Sequence, residues 1–237
     1  MIVFWRLFLA LFLTDFVFFN KRVYTLQQHS RLGAMAVRSG TFLVLAISFC
    51  WKYLSIQWPF LEEVLLPGWL CILLFALFYG FTDYYFQVGG KIKYGYTLSF
   101  FLKNFVNILF LVLIAPFQAL YETGNFFAES WVVFCVGLLL ATRGIGWFIF
   151  CVEQDKYGRD YPTFDEQWML GLMRAIFFLI MLLPGIRWAF LLLIWLGTCV
   201  YARRARLLDI PGWAFWMCIV GAVLVGFLVR LRFYLVD

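Results

Sequence analysis

The sequence predicts an all-α protein, a polytopic transmembrane helix bundle with about eight membrane segments. Three observations carry that prediction. Of the 237 residues, 65% are hydrophobic and 14% charged, whereas a water-soluble domain is about half apolar and about a quarter charged. Mean hydropathy is +0.90, which excludes a disordered chain, since disorder needs low hydrophobicity and high net charge. Apolar runs of about 18–20 residues recur from end to end, and each matches the hydrocarbon thickness of a bilayer. They read as helices because a lipid-facing span must satisfy its backbone internally, and the even alternation of a barrel is missing.

The first segment, near 2–19, is interrupted only by Arg6. With no basic start and no small-x-small cleavage site, it predicts a retained span and not a removed leader. Further segments lie near 32–51, 64–82, 98–120, 130–151, 167–183, 187–201 and 212–231. The sixth and seventh are short and separated by Pro184-Gly185, so they predict two tilted short spans or one re-entrant hairpin. The 30 phenylalanines, 11 tryptophans and 12 tyrosines fit lipid-facing surface and interfacial belts. Trp51, Trp58, Trp69, Trp131, Trp168 and Trp213 all fall near segment ends. The whole chain, 1–237, reads as a single integral membrane domain. Its longest polar stretch is 153–167, EQDKYGRDYPTFDEQ. That stretch is either a solvated connection ending in the helix-start signal Thr163-x-x-Glu166 or a docking surface for a partner.

The formal net charge is +6, from 19 Lys+Arg against 13 Asp+Glu. The basic residues are scattered between apolar runs, where they set orientation and touch anionic lipid head groups. Nucleic acid is excluded as a partner because the loops are too short for a reading module. With eight spans, one side carries Lys21, Arg22, Arg31, Lys91, Lys93, Lys103, Lys156, Arg159, Arg203, Arg204 and Arg206. The other carries Arg6, Lys52, Arg187, Arg230 and Arg232. Eleven against five predicts both termini on the non-cytoplasmic side of an inner membrane, and a re-entrant hairpin would leave that orientation unchanged.

Ionisable or amide side chains at membrane depth are costly and therefore candidates for function. They are Asp15, Arg38, Asp83, Asn104, Asn107, Arg143 and Arg174. Asp15 and Asp83 both approach the cytoplasmic ends of their segments, with Arg38 near the same face. The set predicts a structural ion-pair network, with the remnant of a metal or proton-handling site as the alternative. Asn104 and Asn107 are expected to hydrogen-bond to neighbouring helices. The sequence predicts no metal and no cofactor. Its one histidine, His29, falls in a loop, and catalytic zinc usually needs more. Magnesium held by Asp15, Asp83 and water stays chemically open. No nucleophile elbow, phosphate-cradling loop or zinc-protease motif occurs. Cys50, Cys71, Cys135, Cys151, Cys199 and Cys218 form no C-x-x-C pair and read as small apolar packing residues. Gly144-x-Gly146 and Gly221-x-x-x-x-Gly226 predict close helix packing, and no matching halves of a transporter are visible.

In their order along the chain, these landmarks resemble a bacterial inner-membrane family, domain of unknown function 3307. The resemblance rests on Asp15-Phe16 followed by Lys21-Arg22, on Asp83 before Lys91, and on Phe101-Leu102-Lys103-Asn104-Phe105 opening the next span. It also rests on Gly144-Ile145-Gly146, the basic run Arg203 to Arg206, and Gly221 in the last span. It implies a metal-dependent membrane-hydrolase ancestry. The family's histidines are missing here, with Tyr79 or Gly80 standing where one is expected and Asn104 in place of an acid. The chain therefore reads as a degenerate member, a non-catalytic accessory or assembly subunit with membrane lipids and other membrane proteins as partners. The alternatives are a membrane-embedded metal-dependent hydrolase or lipid-modifying enzyme using Asp15 and Asp83, and a small-solute or ion transporter.

Overall fold

The computed structural model describes residues 2–18, 23, 25–26, 29–60, 64–87, 95–115, 129–158, 164–206 and 210–235. Helix α1 (Ile2–Phe12) runs on into a π-helical turn, Leu13–Val17. It is followed by α2 (Arg31–Cys50), strands β1 (Gln57–Phe60) and β2 (Val64–Pro67), α3 (Gly68–Gln87) and α4 (Tyr96–Ile114). Next come α5 (Ser130–Leu139), a second π-helical turn (Leu140–Gly144) and α6 (Ile145–Tyr157), continuous with one another. Helices α7 (Phe164–Met181), α8 (Arg187–Arg204) and α9 (Gly212–Leu235) complete the order.

A helix lies in each of the eight predicted segments, but the third, expected from 64, begins as strand over Val64–Pro67 and becomes helix only at Gly68. Among the described residues, five are long and apolar enough to cross a membrane: Arg31–Tyr53, Gly68–Phe86, Tyr96–Ile114, Ser130–Tyr157 and Gly212–Tyr234. The first segment falls short because α1 has 11 residues and its π turn adds 5. In the sixth, the apolar helix is only Trp168–Met181.

Local chemistry sets the ends. Ser30 caps α2, its hydroxyl accepting from Gly33 N at 3.3 Å. The fourth segment, expected to reach 120, stops at Ile114. Ala115 is extended (φ −70°, ψ 137°) because the ring of Pro116 disfavours a helical residue before it. Residues 153–157 of the expected polar connection belong to α6, which gives way at Gly158 (φ +59°), a backbone shape that suits glycine. Helix α7 begins at Phe164, beside the predicted start signal; Thr163 itself lies outside the described residues. Gly185 (φ +67°) turns the chain between α7 and α8. There Arg230 donates to Met181 O at 2.9 Å and Tyr234 to Leu182 O at 3.0 Å, satisfying carbonyls that a helix end leaves open.

The β-hairpin is an addition to the predicted all-helical pattern. Its antiparallel register pairs Gln57 with Pro67, Trp58 with Leu66, Pro59 with Leu65 and Phe60 with Val64. Two further backbone bonds root it on the helices, Gly68 N to Ile56 O at 3.0 Å and Trp69 N to Leu54 O at 3.2 Å. Trp58 is buried beneath it and donates from Nε1 to Tyr53 O at 3.2 Å. This corrects the expected place of Trp58 in an interfacial belt. Trp51, Trp69, Trp131 and Trp168 are exposed as that expectation requires.

The chain divides into two compact units, 1–132 with 154–156, and 133–153 with 157–237. In the first, each helix buries a row of residues four apart. The rows are Leu7, Leu11 and Asp15; Ala34, Arg38, Phe42, Ala46 and Cys50; Cys71, Phe75, Tyr79 and Asp83; Ser99, Lys103, Asn107 and Leu111. Such rows are the ridges that helices interlock. In the second unit Phe177, Phe178, Phe215, Ala141, Ala214, Cys218 and Ala222 form the core. As the sequence predicts, its glycines allow close approach: a Cβ on Gly221 would lie 2.7 Å from Ile145 Cδ1, and one on Gly226 2.8 Å from Met181 Cβ.

Two stability predictions follow from these contacts. Asp155 accepts from Tyr96 N at 2.6 Å and Thr97 N at 2.9 Å, capping the start of α4. Asp155→Ala should cost about 1 kcal/mol, lowering the thermal midpoint in detergent by about 2–4 °C. Gly226→Val should cost about 1–3 kcal/mol through overpacking, whereas Gly171→Ala, with open space around it, should leave the midpoint unchanged or raise it.

Candidate functional site

The polar members of the four rows in the first unit meet. Asp15 comes from the π turn after α1, Arg38 from α2, Tyr79 and Asp83 from α3, and Lys103 from α4. Arg38 and Lys103 stand seven residues inside the starts of their helices, and Asp83 four before the end of its own. At 1.5 Å per residue, both cations lie roughly 10 Å along from a helix end.

Lys103 Nζ sits 2.9 Å from Asp15 Oδ1 and 2.9 Å from Asp83 Oδ1, so one ammonium bridges two carboxylates. Arg38 makes the second bridge, with Nη1 2.6 Å from Asp83 Oδ1 and Nη2 bonded to Asp15 Oδ1. Tyr79 completes the ring, its hydroxyl donating to Asp15 Oδ1 at 2.6 Å and accepting from Arg38 Nη2 at 3.1 Å. The Tyr79 ring lies 5.0 Å from Lys103 Nζ and 5.8 Å from Arg38 Cζ, within the range of cation–π attraction. Side-chain exposure of the four charged groups is 1–6%. Two negative and two positive charges cancel, which is the condition for burying any of them: an unpaired ion costs several kcal/mol to desolvate.

A turn farther along α4, Asn107 extends the site. Thr82 donates to Asn107 Oδ1 at 2.7 Å and lies 2.9 Å from Tyr79 O. Asp83 Oδ2 and Asn107 Nδ2 are buried with no hydrogen-bond partner among the described residues. They are an acceptor and a donor through which the cluster can still engage a further polar group. Asn104 does not join, because its Nδ2 donates back to Phe100 O at 2.8 Å. The expected bonding to neighbouring helices therefore holds for Asn107 alone.

The structure brings Asp15, Arg38 and Asp83 together as an ion-pair network and adds two residues that the sequence reading left out, Lys103 and Tyr79. Lys103, counted among the orientation-setting bases of one side, is a correction: it is buried within α4. Moving it leaves ten basic residues against five in the charge count. The missed signal was spacing, since Ser99, Lys103 and Asn107 recur every four residues on one helical face.

The other candidates lie elsewhere. Arg174 is buried in the second unit, donating to Cys218 Sγ at 3.2 Å, with its guanidinium close against Gly146, where a Cβ would lie 2.8 Å from Nη2. Arg143 sits in the second π turn with its guanidinium 5.3 Å from the Trp168 ring. Arg31 is exposed at the start of α2. Arg203 and Arg204 end α8, Arg203 lies over the Phe215 ring at 5.1 Å, and Arg206 adopts φ 56°. Lys21, Arg22, Lys91 and Lys93 lie outside the described residues. His29 is exposed, its ring 2.9 Å from Thr25 O. Five of the six cysteines are buried. Among the described residues, no three His, Cys, Asp or Glu side chains gather as a metal site.

The chain matches no family model, and no curated protein and no solved structure is significantly similar to it.

Removing one charge from the quartet should be far worse than removing a balanced pair. Lys103→Met is expected to cost about 3–5 kcal/mol by leaving an uncompensated carboxylate. Adding Asp83→Asn to it restores neutrality and should recover more than half of that loss. Thermal midpoints of the wild type, both single variants and the double variant close the cycle.

Proposed function

We propose that this is a multi-spanning protein of the bacterial inner membrane and a non-catalytic accessory or assembly subunit of a membrane protein complex. One observation supports the reading above the others: Asp15 and Asp83 each hold fixed cations at Oδ1. An acid that is to ligate a metal or take a proton from substrate must offer its oxygen to the reacting group. Here Lys103 Nζ stands between Asp15 Oδ1 and Asp83 Oδ1, so a divalent ion placed between those atoms would have to displace the ammonium. A descendant of the family of domain of unknown function 3307 that replaced a cation site with a side-chain cation would look like this. In the same reading both termini face away from the cytoplasm, and the scattered basic residues contact anionic head groups.

Extraction from the native membrane in nanodiscs, followed by mass spectrometry, tests the proposal. Stoichiometric co-purifying membrane proteins are the expected result. A chain that emerges alone and carries a tightly held metal or a modified lipid would sink it. An Asp15→Asn, Asp83→Asn double variant gives a second arm. A structural quartet predicts a fall in membrane yield and in complex recovery. Normal yield with loss of a measurable activity would favour a hydrolase instead.

A further inference from the structure

Between α2 and α3 the chain presents an apolar surface that neither unit's core uses. Trp51, Ile56, Val64, Leu65 and Trp69 are each at least half exposed, on the β-hairpin or at its root. Neither strand, QWPF or VLLP, contains a charged residue; the acids Glu62 and Glu63 fall between them in the sequence, outside the described residues. The hairpin is not a loose tether. Four paired positions, the bonds Gly68 N to Ile56 O and Trp69 N to Leu54 O, and the buried Trp58 fix it to the ends of two helices long enough to cross a membrane. Wherever those helix ends stand, the hairpin stands with them.

Two physical limits confine its surroundings. Among the described residues no third strand pairs with either outer edge of the two-stranded sheet, and hydrocarbon gives the N–H and C=O groups of a sheet edge no partner. Water would satisfy the edges but would leave five large apolar side chains solvated, two on the ribbon and three at its root. The boundary between head groups and acyl chains meets both demands. It also suits tryptophan, which Trp51 and Trp69 place on either side of the hairpin.

From this placement we infer that the paired strands Gln57–Phe60 and Val64–Pro67 form a lipid-binding element, seated in the head-group boundary of the leaflet where α2 ends and α3 begins. Lipid is the partner because the exposed face is continuous with exposed apolar side chains of the spans it joins, Val44 on α2 and Leu73 and Leu77 on α3. The inference is independent of the subunit reading, which concerns other proteins and not the bilayer.

Spin labels at Ile56→Cys and Leu65→Cys, in the full chain reconstituted alone in phosphatidylethanolamine–phosphatidylglycerol nanodiscs, test it. Leu77→Cys serves as the lipid-facing reference. The unsubstituted chain is the blank, five of its six cysteines being buried and Cys135 partly so. The measurement is the ratio of collision rates with oxygen, which prefers lipid, and with a water-soluble nickel chelate. At both hairpin positions the ratio should exceed the aqueous value and fall below that at Leu77. An aqueous ratio overturns the proposal. So does a label shielded from both reagents, which would mean that protein and not lipid covers the hairpin.

Discussion

A lysine ammonium shared by two carboxylates is the contact on which the first unit depends. Between apolar helices in a bilayer there is little hydrophobic drive to associate, because lipid tails are as apolar as leucine. Close packing and polar contacts must specify which helices meet. Leu7, Leu11, Phe42, Phe75 and Leu111 supply the packing, but rows of this kind would tolerate a slip of one turn. The quartet does not tolerate it. A turn is about 5.4 Å, so sliding one helix by that much would carry Lys103 out of reach of one or both acids and leave charges unpaired at membrane depth. The ion pairs are thus better understood as fixing register than as adding stability, since desolvation consumes much of what the attraction returns.

The charges also record the direction of the chain. Asp15 and Asp83 lie towards the ends of their helices, whereas Arg38 and Lys103 lie towards the starts. Helices that lie alongside one another over most of their length bring end, start, end and start to one level by alternating in direction. That arrangement agrees with successive spans crossing back and forth.

Much of this was legible in the sequence, and the failures have physical causes. Apolar length located the helices because the bilayer imposes it, and the cost of charge at depth singled out Asp15, Arg38 and Asp83. Lys103 was lost because a basic residue near a segment's start looks like a loop marker. The row Ser99, Lys103, Asn107 and Leu111 shows that its face points inward, a matter of periodicity and not of charge. The hairpin was hidden by Pro59 and Pro67, which argue against strands in a sheet interior. A two-stranded ribbon is all edge, and there a missing N–H costs nothing where the position faces outward. Tyr79 was noticed only as a departure from an expected histidine, yet its hydroxyl joins Asp15 to Arg38.

The second unit solves the same association problem differently. Gly137 lies against Val229 and Phe178, Gly221 against Ile145, and Gly226 against Met181 and the carbonyl of Phe178. Small residues let helices approach closely and so contribute specificity through packing. Its buried cation, Arg174, meets a thiol where the first unit's cations meet carboxylates. The contrast locates where charge is indispensable. A small-residue interface can be enlarged or shaved by a methyl group at graded cost, whereas a neutral quartet responds to the loss of one member by exposing the whole desolvation penalty of the others. In the first unit charge at membrane depth is therefore bound to architecture, because removing any of the four side chains loosens the helices that carry the others.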